Sequence, residues 1–385
     1  MKNLFKFKKS ICIFLILCIS LSFTGCFSGE QDIKNTTVLQ GIGIDYDEEK
    51  DEYKLTVEIF DISHATGMGE AEAGNLTKLI EVSGSTVSGA VEKITLEIGK
   101  SLIYSQERVL VIGETALEKG LSNITDFFIR EYKTRGNLLV AVADNCTAAD
   151  IMKADEGNIS FPARELQVLL ESGDVNGYTT AIDIATVTEL TKDDTSSVFI
   201  PCLGIKEEDE SKYAYLSGFE ILKNDKPVGK LSLSQGRGML FINDDINGGI
   251  ITIKNEKIGL ATLKIVKSST RIGVDVDSTA RFTVNIDCTA DITEVQDHSD
   301  ASITNKDAEI IGKEAEKYVN KIVSSALEKC LDDYSADVFG MTRRVWILHP
   351  SYYRANKDSM EKNLTSDKVK VNVDFKVRRI GQGNM

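Results

Sequence analysis

The chain has 385 residues, 42% of them hydrophobic, enough to bury more than one core and to form two or three domains. Lys and Arg number 45 against 59 Asp and Glu, a net charge of −14, which falls to −18 without residues 1–25 and their four lysines. Such a surface repels nucleic acid and anionic headgroups as general partners, and only four prolines, with no low-complexity tract, argue against long extended linkers.

Lys2, Lys6, Lys8 and Lys9 make a positive start, and Ile11–Phe23 then runs without charge. The run fits the apolar region of a signal peptide and is shorter than the ~20 residues of a bilayer span. It gives way to "FTGCFSGE" (Phe23–Glu30), which resembles the bacterial lipobox with Phe23 where Leu is preferred. The expectation is a lipoprotein signal peptide over residues 1–25, followed by Cys26 as the first mature residue. Cys26 would carry S-diacylglycerol and an N-palmitoyl group. A plain cleavage site and an uncleaved signal anchor are the alternatives. At ~0.8 kcal/mol per buried CH₂, two acyl chains hold firmly where one holds only marginally, so the body would be tethered outside the cytoplasmic membrane.

Val38–Asp45 and Tyr53–Ile59 read as strands joined by the charged turn "YDEEKDE" (Tyr46–Glu52), a hairpin. A Gly-rich loop, Ala65–Gly74, leads to a strand near Leu79–Val82. Ser85 can then cap a helix whose apolar positions are Val87, Ala90, Val91, Ile94 and Ile98, with Gly99 as its stop. "RVLVIG" (Arg108–Gly113) and "NLLVAVAD" (Asn137–Asp144) are short buried strands around a helical "ITDFFIREY" (Ile124–Tyr132), and Thr147 opens another helix. Strands alternating with helices predict a mixed sheet covered by helices.

From Tyr215 the pattern changes. A hairpin turns at Asn224–Asp225, and strands follow at Ile250–Lys254, Ala261–Val266, Ile272–Val276 and Phe282–Cys288. Asn305–Tyr334 predicts one helix on the order of 45 Å long, with Ile311, Ala315, Val319, Ile322, Ala326 and Cys330 as its stripe. The chain ends on an alternating strand with Val369, Val371, Val373, Phe375 and Val377 on one side and Lys368, Lys370, Asp374, Lys376 and Arg378 on the other. The expected fold is a multi-domain mixed α/β and α+β body, with mixed and antiparallel sheets packed by helices and a long helix near the C-terminus. Residues 26–205 form an N-terminal region, the polar 206–213 a linker, and 214–385 a C-terminal α+β domain.

Catalytic chemistry finds little support. The three histidines, His64, His298 and His349, build no known motif, and "DHSD" (Asp297–Asp300) sits on one loop, where a triad cannot be aligned. "GIGID" (Gly41–Asp45) is followed by a turn and a strand, not by the helix a dinucleotide site needs. Asp45–Thr56 carries Lys50 and Thr56 where a calcium loop needs Gly and Glu. Cys146, Cys202, Cys288 and Cys330 are too dispersed for a zinc site, and Cys288 and Cys330 fall on apolar faces, which favours buried thiols over disulfides. No catalytic residue, metal or cofactor is expected. The basic face of the last strand is either a wet sheet face or a site for an acidic partner.

The ordered set of features is similar to the Ger(x)C spore-germination lipoproteins, the C subunits of GerA-type germinant receptors. After the lipobox come "GIGIDYDEEKDEYKLTVEIFD", "VSGSTVSGAVEKI", "YSQERVLVIGE", "ITDFFIREYKTRGNLLVAVAD" and "PCLGI" (Pro201–Ile205). In the second half come "GFEILKNDKPVGKLS", "TADITEV", the long helix running into "ADVFGMTRRV", and "VKVNVDFKVRRIG". The departures are Gln106 in place of a His, Tyr353 and Met360 at positions often Trp, and a shortened Asp337–Gly340 element. The resemblance implies a non-enzymatic, lipid-anchored subunit on the outer face of the spore inner membrane. It would associate with two integral membrane subunits, A and B, and be needed for germination in response to nutrients. A solute-binding lipoprotein of a membrane transporter is the alternative, disfavoured by a single tryptophan, Trp346, and 7% aromatics.

Overall fold

The computed structural model describes residues 36–60, 77–130, 135–154, 162–208, 211–296 and 303–379. Cys26, His64, the loop 65–74 and Asp297–Asp300 with His298 lie outside them.

The hairpin forms as expected from β1 (Thr36–Asp47) and β2 (Glu52–Phe60), and β3 (Thr77–Gly84) adds to β2. Helix α1 (Val87–Ile98) is capped by Thr86 rather than Ser85, since the Thr86 hydroxyl accepts from the Gly89 N–H at 3.0 Å; Gly99, at φ +65°, ends it. Next come β4 (Ser101–Ile103), β5 (Val109–Ile112), α2 (Leu121–Arg130), β6 (Leu139–Ala143) and α3 (Ala148–Met152). Then α4 (Pro162–Leu170), α5 (Ile184–Lys192) and β7 (Val198–Glu208) lead into β8 (Ser211–Lys223) and β9 (Lys226–Ser232). The described residues build one sheet in the order β3-β2-β1-β5-β6-β7-β8-β9, with β4 beside β1. Its central strands β1, β5, β6 and β7 are parallel. Strands β5 and β6 are apolar throughout, and β1 and β7 are apolar where they pair in the centre, because both faces are covered there. Residues of α1, α2 and α5 pack on one face, and residues of α3 and α4 on the other.

The expected linker over 206–213 is corrected here. Lys206, Glu207 and Glu208 pair with Tyr213, Lys212 and Ser211 as the tip of the β7–β8 hairpin. The tip is charged because it projects into water, where Lys212 meets Glu207 at 2.7 Å. Nor does the chain separate into two bodies there. Phe219 and Ile221 of β8 point into the C-terminal core, and Leu222, on the opposite face of the pleat, into the N-terminal core. One strand serves both halves.

Helix α6 (Leu233–Ile242) opens with a Ser232/Gln235 capping box and is buried from Gly236 to Ile242. A second sheet follows: β10 (Ile250–Asn255), β11 (Gly259–Val276), β12 (Ala280–Gln296) and, parallel to β12, the terminal β13 (Val369–Arg379). The two expected strands Ala261–Val266 and Ile272–Val276 are one strand, β11, irregular between Ile265 and Lys267. The long helix is present as α7 (Asn305–Leu327) with a terminal π-helical turn, Glu328–Asp333, and its predicted stripe is buried. Gly238 of α6 lies so close to α7 that a Cβ would stand 2.1 Å from the Ile322 carbonyl oxygen. Two further helices, α8 (Met341–Leu348) and α9 (Pro350–Asn363), turn at His349–Pro350 before β13.

Candidate functional site at the two ends of the sheet

The carboxyl ends of β1, β5 and β6 bring together motifs far apart in sequence. Asp45, the last residue of "GIGID", accepts from the Ala148 N–H at 2.8 Å and the Ala149 N–H at 3.0 Å, which satisfies the start of α3. Burial nevertheless pushes its carboxyl above the usual range. Gly113 sits beside it because a Cβ there would fall 2.0 Å from Asp45 Oδ1. One residue on, Glu114 and, after β6, Asp144 take the Lys230 ammonium of β9, at 2.6 Å for Asp144. Glu220 pairs with Lys230 across β8–β9, and burial pushes its carboxyl up to about 7 against the pull of that ammonium.

In open α/β sheets this edge commonly receives ligands. Here the charged groups are engaged with one another. The adjoining concavity of about 690 Å³ is broad and open, with Asp45, Tyr46, Lys54, Glu81, Lys93 and Thr147 among its lining beside Leu55 and Val82. The acids of Asp45–Thr56 do not converge on a cation: Asp45 caps α3, Asp47 holds Lys54 at 2.7 Å, and Asp51 takes the Tyr46 hydroxyl. Among the described residues no group of three or more His, Cys, Asp or Glu is placed to hold a metal.

Two buried polar groups escape sequence reasoning. Glu58, 1% exposed on β2, accepts from the Ala163 N–H at 2.7 Å, and burial raises it to about 7. Arg237 on α6 is 0% exposed, donates to the Tyr178 hydroxyl at 3.0 Å and the Ile250 carbonyl at 2.8 Å, and stacks 4.5 Å from the Tyr178 ring centre. It joins the N-terminal half to the second sheet. Among the described residues its Nε and Nη2 meet no hydrogen-bond acceptor.

The four expected free cysteines are free thiols, with Cys202, Cys288 and Cys330 buried and Cys146 half-buried. Burial pushes Cys146 up to about 11, Cys288 and Cys330 up to about 12, and Cys202 well above its ordinary value, away from the reactive thiolate. On the last strand, Lys376 meets Asp374 at 2.5 Å and Arg378 meets Asp291 at 2.7 Å, so much of that basic face is paired within its own sheet.

The amino end of the parallel strands is built differently. Just before β7 the Ser197 N–H donates to the Asp337 carbonyl at 2.9 Å. The Asp337 carboxylate accepts from Phe339 and Met341 at 3.1 Å and from Thr342 at 2.6 Å, fixing the start of α8. "ADVFGMTRRV" is therefore a mount. Arg343 reaches Glu189 at 3.6 Å and Asp193 at 3.9 Å, and Lys357 of α9 reaches Asp194 at 3.6 Å. At the far end of α8, Trp346, Ile347 and Leu348 are 49%, 60% and 60% exposed. Sequence reasoning noted Trp346 only as the lone tryptophan; the signal was three consecutive large apolar residues ahead of a His-Pro corner.

Comparison with known proteins places this architecture. Residues 29–205 match the family model "Spore germination protein N-terminal domain", and residues 217–381 match "Spore germination B3/ GerAC like, C-terminal". The chain belongs to the Ger(x)C family of spore germination proteins. It is 23% identical to spore germination protein B3 of Bacillus subtilis (strain 168) over 99% of both chains. It is also 23% identical to GerQC of Bacillus cereus, over 84% of this chain and 87% of that one. The crystal structure of the GerBC protein shares its fold, with a TM-score of 0.58 at 18% identity over 88% of this chain and 97% of that chain. The expected mixed architecture with a long helix near the C-terminus is the one observed. In this chain the motifs that carry the resemblance are mostly structural joints: "GIGID" caps a helix and "ADVFG" mounts one.

Proposed function

We propose that this Ger(x)C protein is the lipid-anchored C subunit of a nutrient germinant receptor. It sits on the outer face of the spore inner membrane, beside the integral membrane subunits A and B, and is required for germination in response to nutrients. The observation that carries this reading is the match of both family halves to a chain whose Cys26 stands in a lipobox-like setting three residues before the first matched position. The role is organisational rather than catalytic: the buried thiols are held protonated and the charged groups at the carboxyl end of the sheet are occupied with one another. The N-palmitoyl and S-diacylglycerol groups on Cys26 confine the body to the membrane surface and so raise its effective concentration near partners in the same bilayer.

The test pairs a Cys26→Ala strain with the parent. The proposal expects palmitate labelling to disappear, the protein to leave the membrane fraction and the nutrient response to fail while germination by non-nutrient triggers continues. A variant that still takes up palmitate, or spores that respond normally to every nutrient without this protein, would contradict it.

A further inference from the structure

The corner between α8 and α9 exposes Trp346, Ile347 and Leu348 in succession. A partner helix or groove reads a helix at i, i+3 and i+4, along one stripe. Three consecutive residues instead sweep about 200° around the axis. Only a medium that closes around the end of a helix covers all three at once, and a lipid surface is such a medium.

The charge of the stretch agrees. From Met341 to Lys357 the sequence carries four cations, Arg343, Arg344, Arg354 and Lys357, and no acid, in a chain whose net charge is −14; Arg343 and Lys357 are loosely shared with Glu189, Asp193 and Asp194 at 3.6–3.9 Å. Aromatic and aliphatic residues beside cations are the composition of segments that lie in an anionic bilayer interface. The composition is local: it runs against the acidic chain that carries it.

Topology supplies the third observation. Strands β1, β5, β6 and β7 are parallel, with Gly41 opposite Val109, Val109 opposite Leu139, and Val142 opposite Cys202. The starts of β1 and β7 therefore lie at the same end of the sheet, three strand spacings or about 14 Å apart laterally. Residues 26–35 enter β1 at that end, and ten extended residues reach at most about 35 Å. The mount of α8, through Ser197 and Asp337, stands at that same end.

We infer that the Trp346–Leu348 corner is a second membrane contact, which dips into the interface of the bilayer carrying Cys26. The inference rests on the lipid anchoring proposed above for its choice of occupant. Two attachments, the Cys26 anchor and the α8–α9 corner, fix which end of the body faces the lipid.

Trp346, the single tryptophan of the chain, is its own reporter. The lipidated full chain is reconstituted into phosphatidylglycerol–phosphatidylethanolamine vesicles with or without brominated acyl chains. The expected result is a blue-shifted emission that loses about half its intensity to bromines near the carbonyl region and less to bromines at the chain ends, as for a side chain held at the interface. Ile347→Ser with Leu348→Ser keeps the reporter and should restore the emission, with an unchanged urea midpoint showing that the body still folds. Flotation reports the anchor separately. Floating vesicles with an unquenched Trp346 overturn the corner and spare the anchor. A Cys26→Ala chain that floats equally, with Trp346 still quenched, overturns the anchor and spares the corner. Emission that shifts only when another receptor protein is added also overturns the inference, since the corner is then a protein interface.

Discussion

At the carboxyl end of the parallel strands, charged and polar side chains face one another. Asp45 holds α3, Lys230 sits between Glu114 and Asp144, and Glu220 lies beside them. At the amino end one buried carboxylate, Asp337, fixes a helix whose far end is left bare and apolar. The difference teaches where to look for function in a chain whose family motifs serve as joints. Motifs that align with a family can be spent on joints, while the surface available to a partner is a neighbouring stretch with no unusual motif.

The largest effect to probe that contrast is expected at the mount. Asp337→Ala leaves three buried N–H groups without their acceptor and should lower unfolding free energy by about 4 kcal/mol in a urea titration. A loss under about 1 kcal/mol would show that α8 is held by other means. At the opposite end, Gly113→Ala forces a Cβ into Asp45 Oδ1 and should lower stability by about 3 kcal/mol. If it is neutral, the joint at that end is looser than described.

The third prediction concerns pH. Folding raises Glu58 from 4.5 to about 7, so the native state favours its protonated form. The stabilisation is complete below pH 4.5 and is lost as pH rises through 7. The native protein should therefore be less stable at pH 8 than at pH 5, by about 2 kcal/mol from Glu58 after allowing for solvent screening. Glu220 titrates over the same range, so Glu58→Gln should remove about half of the fall rather than all of it. An unchanged pH profile in that variant would mean Glu58 is ionised in the fold. The smallest effect belongs to the ion pairs around the corner. Arg343→Ala or Lys357→Ala should each change stability by less than about 0.5 kcal/mol, because both side chains are exposed and their partners stand at 3.6–3.9 Å.

Much of the fold was legible where the signal is local. The alternation of Val369–Val377, the stripe from Ile311 to Cys330 and the turn at Asn224–Asp225, both at positive φ, appear as expected. What failed was non-local. "KEEDES" reads as a linker because nothing in its own composition shows that β7 and β8 continue through it as paired strands. The polar Lys267–Thr270 looked like a break in β11, but Thr270 is occupied with the Phe241 carbonyl and the Asp244 carboxylate. Glu58 takes an ordinary place in an alternating strand, and its burial depends on α4, a hundred residues away. Arg237, between two glycines, carries no periodic signal of its own in the sequence. Only the packing of α6 between two sheets and α7 puts it in the core.

The corner left a local signal, three consecutive large apolar residues before His349–Pro350, but their exposure depends on neighbours distant in the chain. The most direct test of the contrast between the two ends is nutrient-triggered germination of spores carrying Trp346→Ser, Ile347→Ser and Leu348→Ser together, with the level of the protein checked by immunoblot. The account predicts a normal level of folded protein and a slowed or absent nutrient response. Normal germination at a normal level would contradict it.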